Sequence, residues 1–590
     1  MPIDDKVVVG AAEEGQGEPS IQHHLETGGM PFGEVAMESP GGSRTLWRDA
    51  WYRLSRNKLA VAALIYLAVV AVLAPAGCGV AGKDQASVLH RRLEGEPKTL
   101  NGILATTDPE LTVLALLSRN LLDYDEKLSL VPGLAAAVEA DAAHLVYTVR
   151  LREARWEDGS PVTAEDVVFT LRSVADPKVP AVNRRALFEG FASAEAVDPR
   201  TARVVFTSPS AGRLHAFALP LLSSAQFREA RGEAMASSPL NRRPLANGPF
   251  RLGRWEPGRT IELVRNTHYF GEKVPAEKVV FRVVPDSSVA FEGLRTGALD
   301  ETRLTFSQLE ALRKEDAAGS KATALLYPEL SYTYVGWNNR LPLFSDPRVR
   351  RALTMLADRE GIARTLYGGT ATPANGPVPP GLPGFDPGLA PWPFDPGAAA
   401  RLLDEAGFAK GKDGVRQKGS LRLAFALSLG AGSDLHRQIA ETLQESFRSA
   451  GIAVDLRPAE WASFVARVDA GDFEACSLAM NLDPNPDLYG LWHSSQAAPK
   501  GWNVVGYASP RADALMDDIR REFDPVRAAS LSRELARVIH EDEPVTFLHN
   551  VRVKWGVSRR VEDVRSSPYG LFLFWPGGSR WRPVRASSPG

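Results

Sequence analysis

Cysteine is nearly missing: the 590 residues hold two, Cys78 and Cys476. That count excludes a disulfide framework and a Cys-rich zinc site. An excess of either charge is missing too. Lys plus Arg number 69 against 71 for Asp plus Glu, a formal net charge of -2. With no basic block, a DNA or RNA partner is excluded as a reading. There is no G-x-S-x-G elbow, no H-E-x-x-H, no Walker A loop and no G-x-G-x-x-G. The chain therefore reads as neither an enzyme nor an ATPase, with no cofactor and no metal. "HEDEP" (540–544) clusters His540, Glu541, Asp542 and Glu543. Adjacent helical side chains point in different directions, so the cluster reads as a solvated helix end.

Long apolar runs are also scarce, with one exception, "LAVAALIYLAVVAVLAPAG", residues 59–77. Its 19 uncharged residues span about 28 Å as a helix, close to the hydrocarbon thickness of a bilayer. Arg48, Arg53, Arg56 and Lys58 precede it. They favour a cytoplasmic N-terminus and put the chain beyond Cys78 on the outer side. Residues 1–44 are polar and aperiodic, read as a disordered tail; 45–78 are read as basic flank plus membrane anchor or signal segment.

The body has ample apolar material, 44% of residues, and its length suggests about three to four domains. "LVYTVRL" (145–151) alternates Leu145, Tyr147, Val149 and Leu151 on one face, a half-buried strand. Thr163 and Asp166 of "TAED" form a capping-box pattern. "SDPRVRRALTMLADREGIARTLYGG" reads as a helical segment capped by Asp346 and stopped at Gly368-Gly369. "LHRQIAETLQESFRSAG" and "EWASFVARVDAGDF" are amphipathic helices, and "FEACSLAMNLD" is a buried strand. This alternation predicts an α/β fold with parallel strands. Residues 372–397, rich in Pro and Gly, read as a long surface loop.

Several segments, in order from 89 to about 580, resemble the solute-binding proteins of peptide/nickel-type ABC importers, the oligopeptide- and dipeptide-binding family. They include "EGEPKTLN" (94–101), "LVPGLAAAVEADAAHLVYTVRLREARWEDGSPVTAEDVVFTLR" (130–172) and "NGPFRLGRWEPGRTIELVRNTHYFG" (247–271). "YVGWNNRLPLFSDPRVRRALTMLADREGI" (334–362) and "NVVGYASPRADALMDDI" (503–519) continue the series. The resemblance implies a two-lobed periplasmic-binding-protein clamp with an extra third domain, mixed sheets being flanked by helices. It implies lobe one from 86–110, 239–327 and 538–585, an inserted domain from 111–238, and lobe two from 328–537.

The same resemblance implies site residues. Trp461 matches a tryptophan lining the family's pocket, and Asp483 a carboxylate that anchors a peptide's ammonium. Met480 stands with Ala479 where a Gly-Trp pair is usual, which marks an altered pocket. Basic residues that hold a peptide's carboxylate are unmatched: Val468 and Ser477 stand there, with Arg467 one place away. On residue pattern alone, Trp461 fits a core stripe with Phe464, Val465 and Val468, and Asp483 fits a turn before Pro484; both alternatives stand. Cys78 ends "APAGC", which resembles a lipoprotein cleavage site, with Pro75 in place of the preferred Leu. "LWRDAWYRLSRNKLAVAALIYLAVVAVLAP" resembles the first helix of a peptide-importer permease subunit. The function implied is capture of a small peptide by a tethered, monomeric receptor at the outer face of the cytoplasmic membrane. Its partners would be ABC permease subunits and the membrane, through residues 59–77 or a lipid on Cys78. Other cargo (a metal chelate, an opine or an oligosaccharide) and ligand sensing without transport are alternatives.

Overall fold

The computed structural model describes residues 87–584 apart from 317, 318, 486 and 500. The tail, the apolar run and Cys78 lie outside the described residues. Among those described, no helix is long and apolar enough to cross a membrane.

Three main sheets organise the chain. In the first, Val88–Leu93, Lys278–Val283, Thr260–Arg265 and Phe250–Glu256 lie side by side in that order. In the second, Ala135–Ala140, Val146–Leu151, Thr201–Phe206 and Phe191–Asp198 form an antiparallel sheet. Tyr147, Val149 and Leu151 are buried, as the alternation predicts, and helix Ala164–Ala175 is opened by the Thr163–Asp166 capping box. In the third, the long strand Val545–Ser558 pairs with Ser331–Trp337, and this strand pairs in turn with Ala475–Asn481. Ala475–Asn481 and Ala453–Ala459 both pair in parallel with Ala424–Gly430. The expected parallel pairing is therefore present within a mixed sheet.

Strand Val545–Ser558 belongs to two bodies. Its first half pairs with Ser331–Trp337, from Gly336↔Val545 to Thr333↔His549. Its second half pairs with Ala322–Pro328, from Pro328↔Arg552 to Ala322↔Ser558. Core membership switches at the same place. Val545, Phe547 and Leu548 pack with helices and strands of the 330–540 region. Val553 and Val557 pack with Leu89, Phe281 and Trp581. Two neighbouring crossings, 328–331 and 549–552, thus join the lobes.

Three sequence expectations are corrected. The stretch after Asp346 forms two helices, Pro347–Met355 and Arg359–Thr365, because Asp358 starts a new one by accepting from the Gly361 N–H at 2.8 Å. Residues 372–397 are not simply a surface loop: Ala371–Pro373 joins the long strand, and Ala374, Val378 and Leu382 are buried in the core. Apolar residues between the prolines have a core to fill, and burial outweighs the turn chemistry. The "HEDEP" end is not solvated throughout. His540 is buried and stacks on Trp392 with centroids 5.1 Å apart, and Glu543 is buried at the end of helix Pro525–Asp542.

Burial pushes the Glu543 carboxyl up to about 8, against the pull of Arg359, the Thr354 hydroxyl, Arg351 and Arg350. The arginines do not cancel it because Arg350 and Arg359 spend their donors on main-chain carbonyls of Phe344, Glu543, Ala374 and Phe547. Thr354 donates to Glu543 Oε2 at 2.8 Å. A folded-state pKa above the ordinary 4.5 means that the folded chain holds a proton the unfolded chain has released. This contribution is complete below the unfolded value and is lost as pH rises through about 8. Glu543→Gln is therefore expected to flatten the fall in stability between pH 5 and pH 8. Urea unfolding of both proteins at the two pH values checks it; an unchanged slope overturns it.

Candidate ligand cleft

Asp483 comes after the buried strand Ala475–Asn481, where the chain leaves the sheet with Leu482 N–H donating to Leu330 O at 2.8 Å. Pro484 restricts it to extended backbone, and its side chain is exposed. Even so, surrounding protein pushes its carboxyl above the usual range, and the Arg184 guanidinium partly offsets this. The side chain keeps exposed surface while protein packed around it disfavours the ionised form.

Groups of other segments lie within electrostatic reach of it. Arg184 lies on the short helix Val182–Arg185. Its neighbour Arg185 turns back into its own domain and donates to Asp176 O at 3.0 Å and Val174 O at 3.3 Å. Successive helical residues diverge by about 100°, so Arg184 turns elsewhere. Its Nε is buried with no hydrogen-bond partner. Burial lowers the Arg184 pKa, and Tyr569, Asp483 and Tyr124 act in the opposite direction. A guanidinium stays charged in such a setting.

Tyr124 and Tyr569 meet edge to face at 5.8 Å, and the Tyr124 hydroxyl lies 2.8 Å from His215 Nδ1. Burial pushes both phenols up and His215 down to about 4. At neutral pH these three are uncharged. Asp108, exposed at the first turn of helix Asp108–Leu117, acts on Tyr569 as well. The groups that act on the Tyr569 phenol are thus two exposed carboxylates, Asp483 and Asp108, and the Arg184 guanidinium.

Trp461 is half-buried at the start of helix Trp461–Asp469, 5.6 Å from the Phe464 ring and packed over Gly430. Met480 is buried in the same core, opposite Tyr332 across the strands. Val468 and Ser477 are buried, and Arg467 pairs with Asp472 at 3.1 Å on the surface. A hollow of about 320 Å³ beneath this helix is lined by Ser428, Arg457, Phe464, Arg467, Val468 and Phe473 among others. It is separate from Asp483, and its arginines are already paired to Asp455 and Asp472. Among the described residues no acidic, histidine or cysteine group could hold a metal ion. Cys476 is free and buried, its thiol pushed up to about 12, so it is not a nucleophile. Arg184, Tyr124, Tyr569 and His215 were not indicated by any sequence pattern.

One long strand shared between two packed bodies is the frame of a two-lobed clamp. The chain belongs to the bacterial extracellular solute-binding proteins, family 5, whose middle region matches residues 129–502. Residues 45–86 match the N-terminal TM domain of oligopeptide transport permease C. The oligopeptide-binding protein AppA of Bacillus subtilis is 28% identical over 548 residues, covering 88% of this chain and 99% of AppA. Its structure in complex with a nonapeptide gives a TM-score of 0.69 at 26% identity over 84% of this chain and 99% of that one. Protein XP55 of Streptomyces lividans is 30% identical over 525 residues, covering 86% and 92%. NikZ of Campylobacter jejuni, solved with Ni(L-His), shares the fold with a TM-score of 0.70 at 23% identity over 84% and 99%.

Proposed function

We propose that this protein is the membrane-tethered binding component of an ABC importer, capturing a small peptide between its lobes and delivering it to permease subunits. The feature that supports the reading is Asp483, which keeps exposed surface after strand Ala475–Asn481 while surrounding protein raises its carboxyl within electrostatic reach of Arg184. Such a carboxylate makes a charge-assisted bond to a peptide's ammonium that is stronger than in water. Trp461 serves as a wall and Met480 as part of the floor. Hinge motion at the paired crossings of 328–331 and 549–552 opens and shuts the clamp. The nonapeptide held by AppA supports peptide as cargo, and the permease likeness of residues 45–86 supports attachment to the membrane. The tether is the apolar run or a lipid on Cys78, and the receptor acts as a monomer at the outer face of the cytoplasmic membrane.

Binding near micromolar, about 8 kcal/mol, is the expected strength. Solutes released from the purified protein by denaturation are identified by mass spectrometry and returned to the emptied protein in a calorimeter. Short peptides that bind again support the reading. A saccharide or a metal chelate as the retained solute, with no peptide binding, overturns it.

A further inference from the structure

The surroundings of Asp483 hold a second charge that is equally unsatisfied. The turn Ala186–Phe188, directly after the short helix bearing Arg184, is tied to segment Ala211–Phe217 by Arg213 Nη1, which donates to Leu187 O at 2.9 Å. A side chain at Gly212 of that segment would stand 3.1 Å from Asn485 Nδ2, two residues beyond Asp483. His215 of the same segment holds Tyr124 at 2.8 Å, and Tyr124 meets Tyr569. The inserted domain and lobe two therefore converge on one patch. Each of Arg184 and Asp483 feels the other's charge, yet no ion pair within 4.0 Å joins them. Among the described residues, nothing hydrogen-bonds to the Arg184 Nε or to the Asp483 carboxylate.

We infer that Arg184 and Asp483 form the two ends of one site for a zwitterionic solute, its ammonium on Asp483 and its carboxylate on Arg184. The charges come from different bodies, so a ligand carrying both ties the inserted domain to lobe two. Arg184 supplies the cation missing at Val468 and Ser477. Its fork geometry suits a carboxylate better than a lysine would. The site's location rests on the binding-cleft reading proposed for Asp483.

Calorimetry compares free di- and tripeptides with their C-terminal amides on wild type and Arg184→Met. Wild type is expected to prefer the free acid by about 30-fold or more. Arg184→Met is expected to bind acid and amide alike, near the wild-type level for the amide, with Arg184→Lys in between. Thermal shift with glycine, β-alanine, γ-aminobutyrate and longer ω-amino acids probes the same charge pair without a peptide. One chain length should raise the wild-type midpoint and not that of Arg184→Met. If peptides fail but an ω-amino acid binds through Arg184, the inference stands and the peptide reading falls. If peptides bind with no dependence on their C-terminal charge, or Arg184→Met keeps the preference, the inference falls and the peptide reading stands. Absence of binding in every arm overturns both.

Discussion

Asp483→Asn is expected to weaken binding of a free-amine peptide by about 100-fold while leaving thermal stability of the empty protein nearly unchanged. The first half comes from removing one partner of a desolvated charge pair, which costs about 2–5 kcal/mol. The second comes from exposure: no described residue hydrogen-bonds to this carboxylate, so no internal contact is lost. The pH dependence has a definite sign. Burial has raised the empty-site pKa above the ordinary 3.8, and an arriving ammonium favours the ionised form and lowers it again. Binding is thus coupled to proton release, and affinity falls as pH drops through the raised value. The loss begins at higher pH than for an ordinary surface carboxylate, and Asp483→Asn abolishes this component of the profile. Calorimetry between pH 4 and pH 8 measures it. A variant with wild-type affinity removes Asp483 from the site.

Legibility from sequence tracked the strength of local signals. Tyr147, Val149 and Leu151 alternate in a strand with one buried face, and that period survives in the fold. The Thr163–Asp166 pair satisfies helix-end N–H groups locally, so it needs no tertiary context. Where tertiary burial competes with local chemistry, the sequence misleads. Val378 and Leu382 lie among turn residues but fill a core, and Glu543 comes after three polar residues but lies under an arginine cluster. The candidate ligand cleft is the extreme case. Asp483 could be singled out only through likeness to relatives. Arg184 could not, because a four-residue helix has no period to read and its partners lie far away in the chain.

Arg91→Met is expected to destabilise the fold by about 3–5 kcal/mol, the largest stability effect we anticipate for one substitution. Arg91 and Glu301 are both fully buried, with Nε 3.3 Å from Oε1. Burial pushes Glu301 up and Arg91 down, while their mutual attraction opposes both shifts. Ionisation is retained because the guanidinium cannot give up its proton and lies 3.7 Å from the Phe572 ring, with Phe281 at 4.9 Å and Trp581 at 5.3 Å. Those rings supply attraction where hydrogen bonds are lacking, since Nη1 and Nη2 of Arg91 and Oε2 of Glu301 have no partner. Removing the arginine leaves Glu301 buried with only the Arg92 N–H at 3.3 Å to hold it. The double variant Arg91→Met/Glu301→Leu, which removes both charges, is expected to recover most of the loss. The pair also has a mechanical position. It links Val88–Leu93 of the first sheet to Glu301–Arg303, which pairs with the far half of the strand shared by the lobes, at Trp555, Gly556 and Val557. Under the proposed hinge motion, an unanchored far half would transmit closure poorly. Arg91→Met should therefore loosen ligand binding as well as lower the urea midpoint, and the double variant should restore both. Restored stability without restored affinity would show that the charge pair itself, and not merely the packing it secures, keeps the two halves of the shared strand in register.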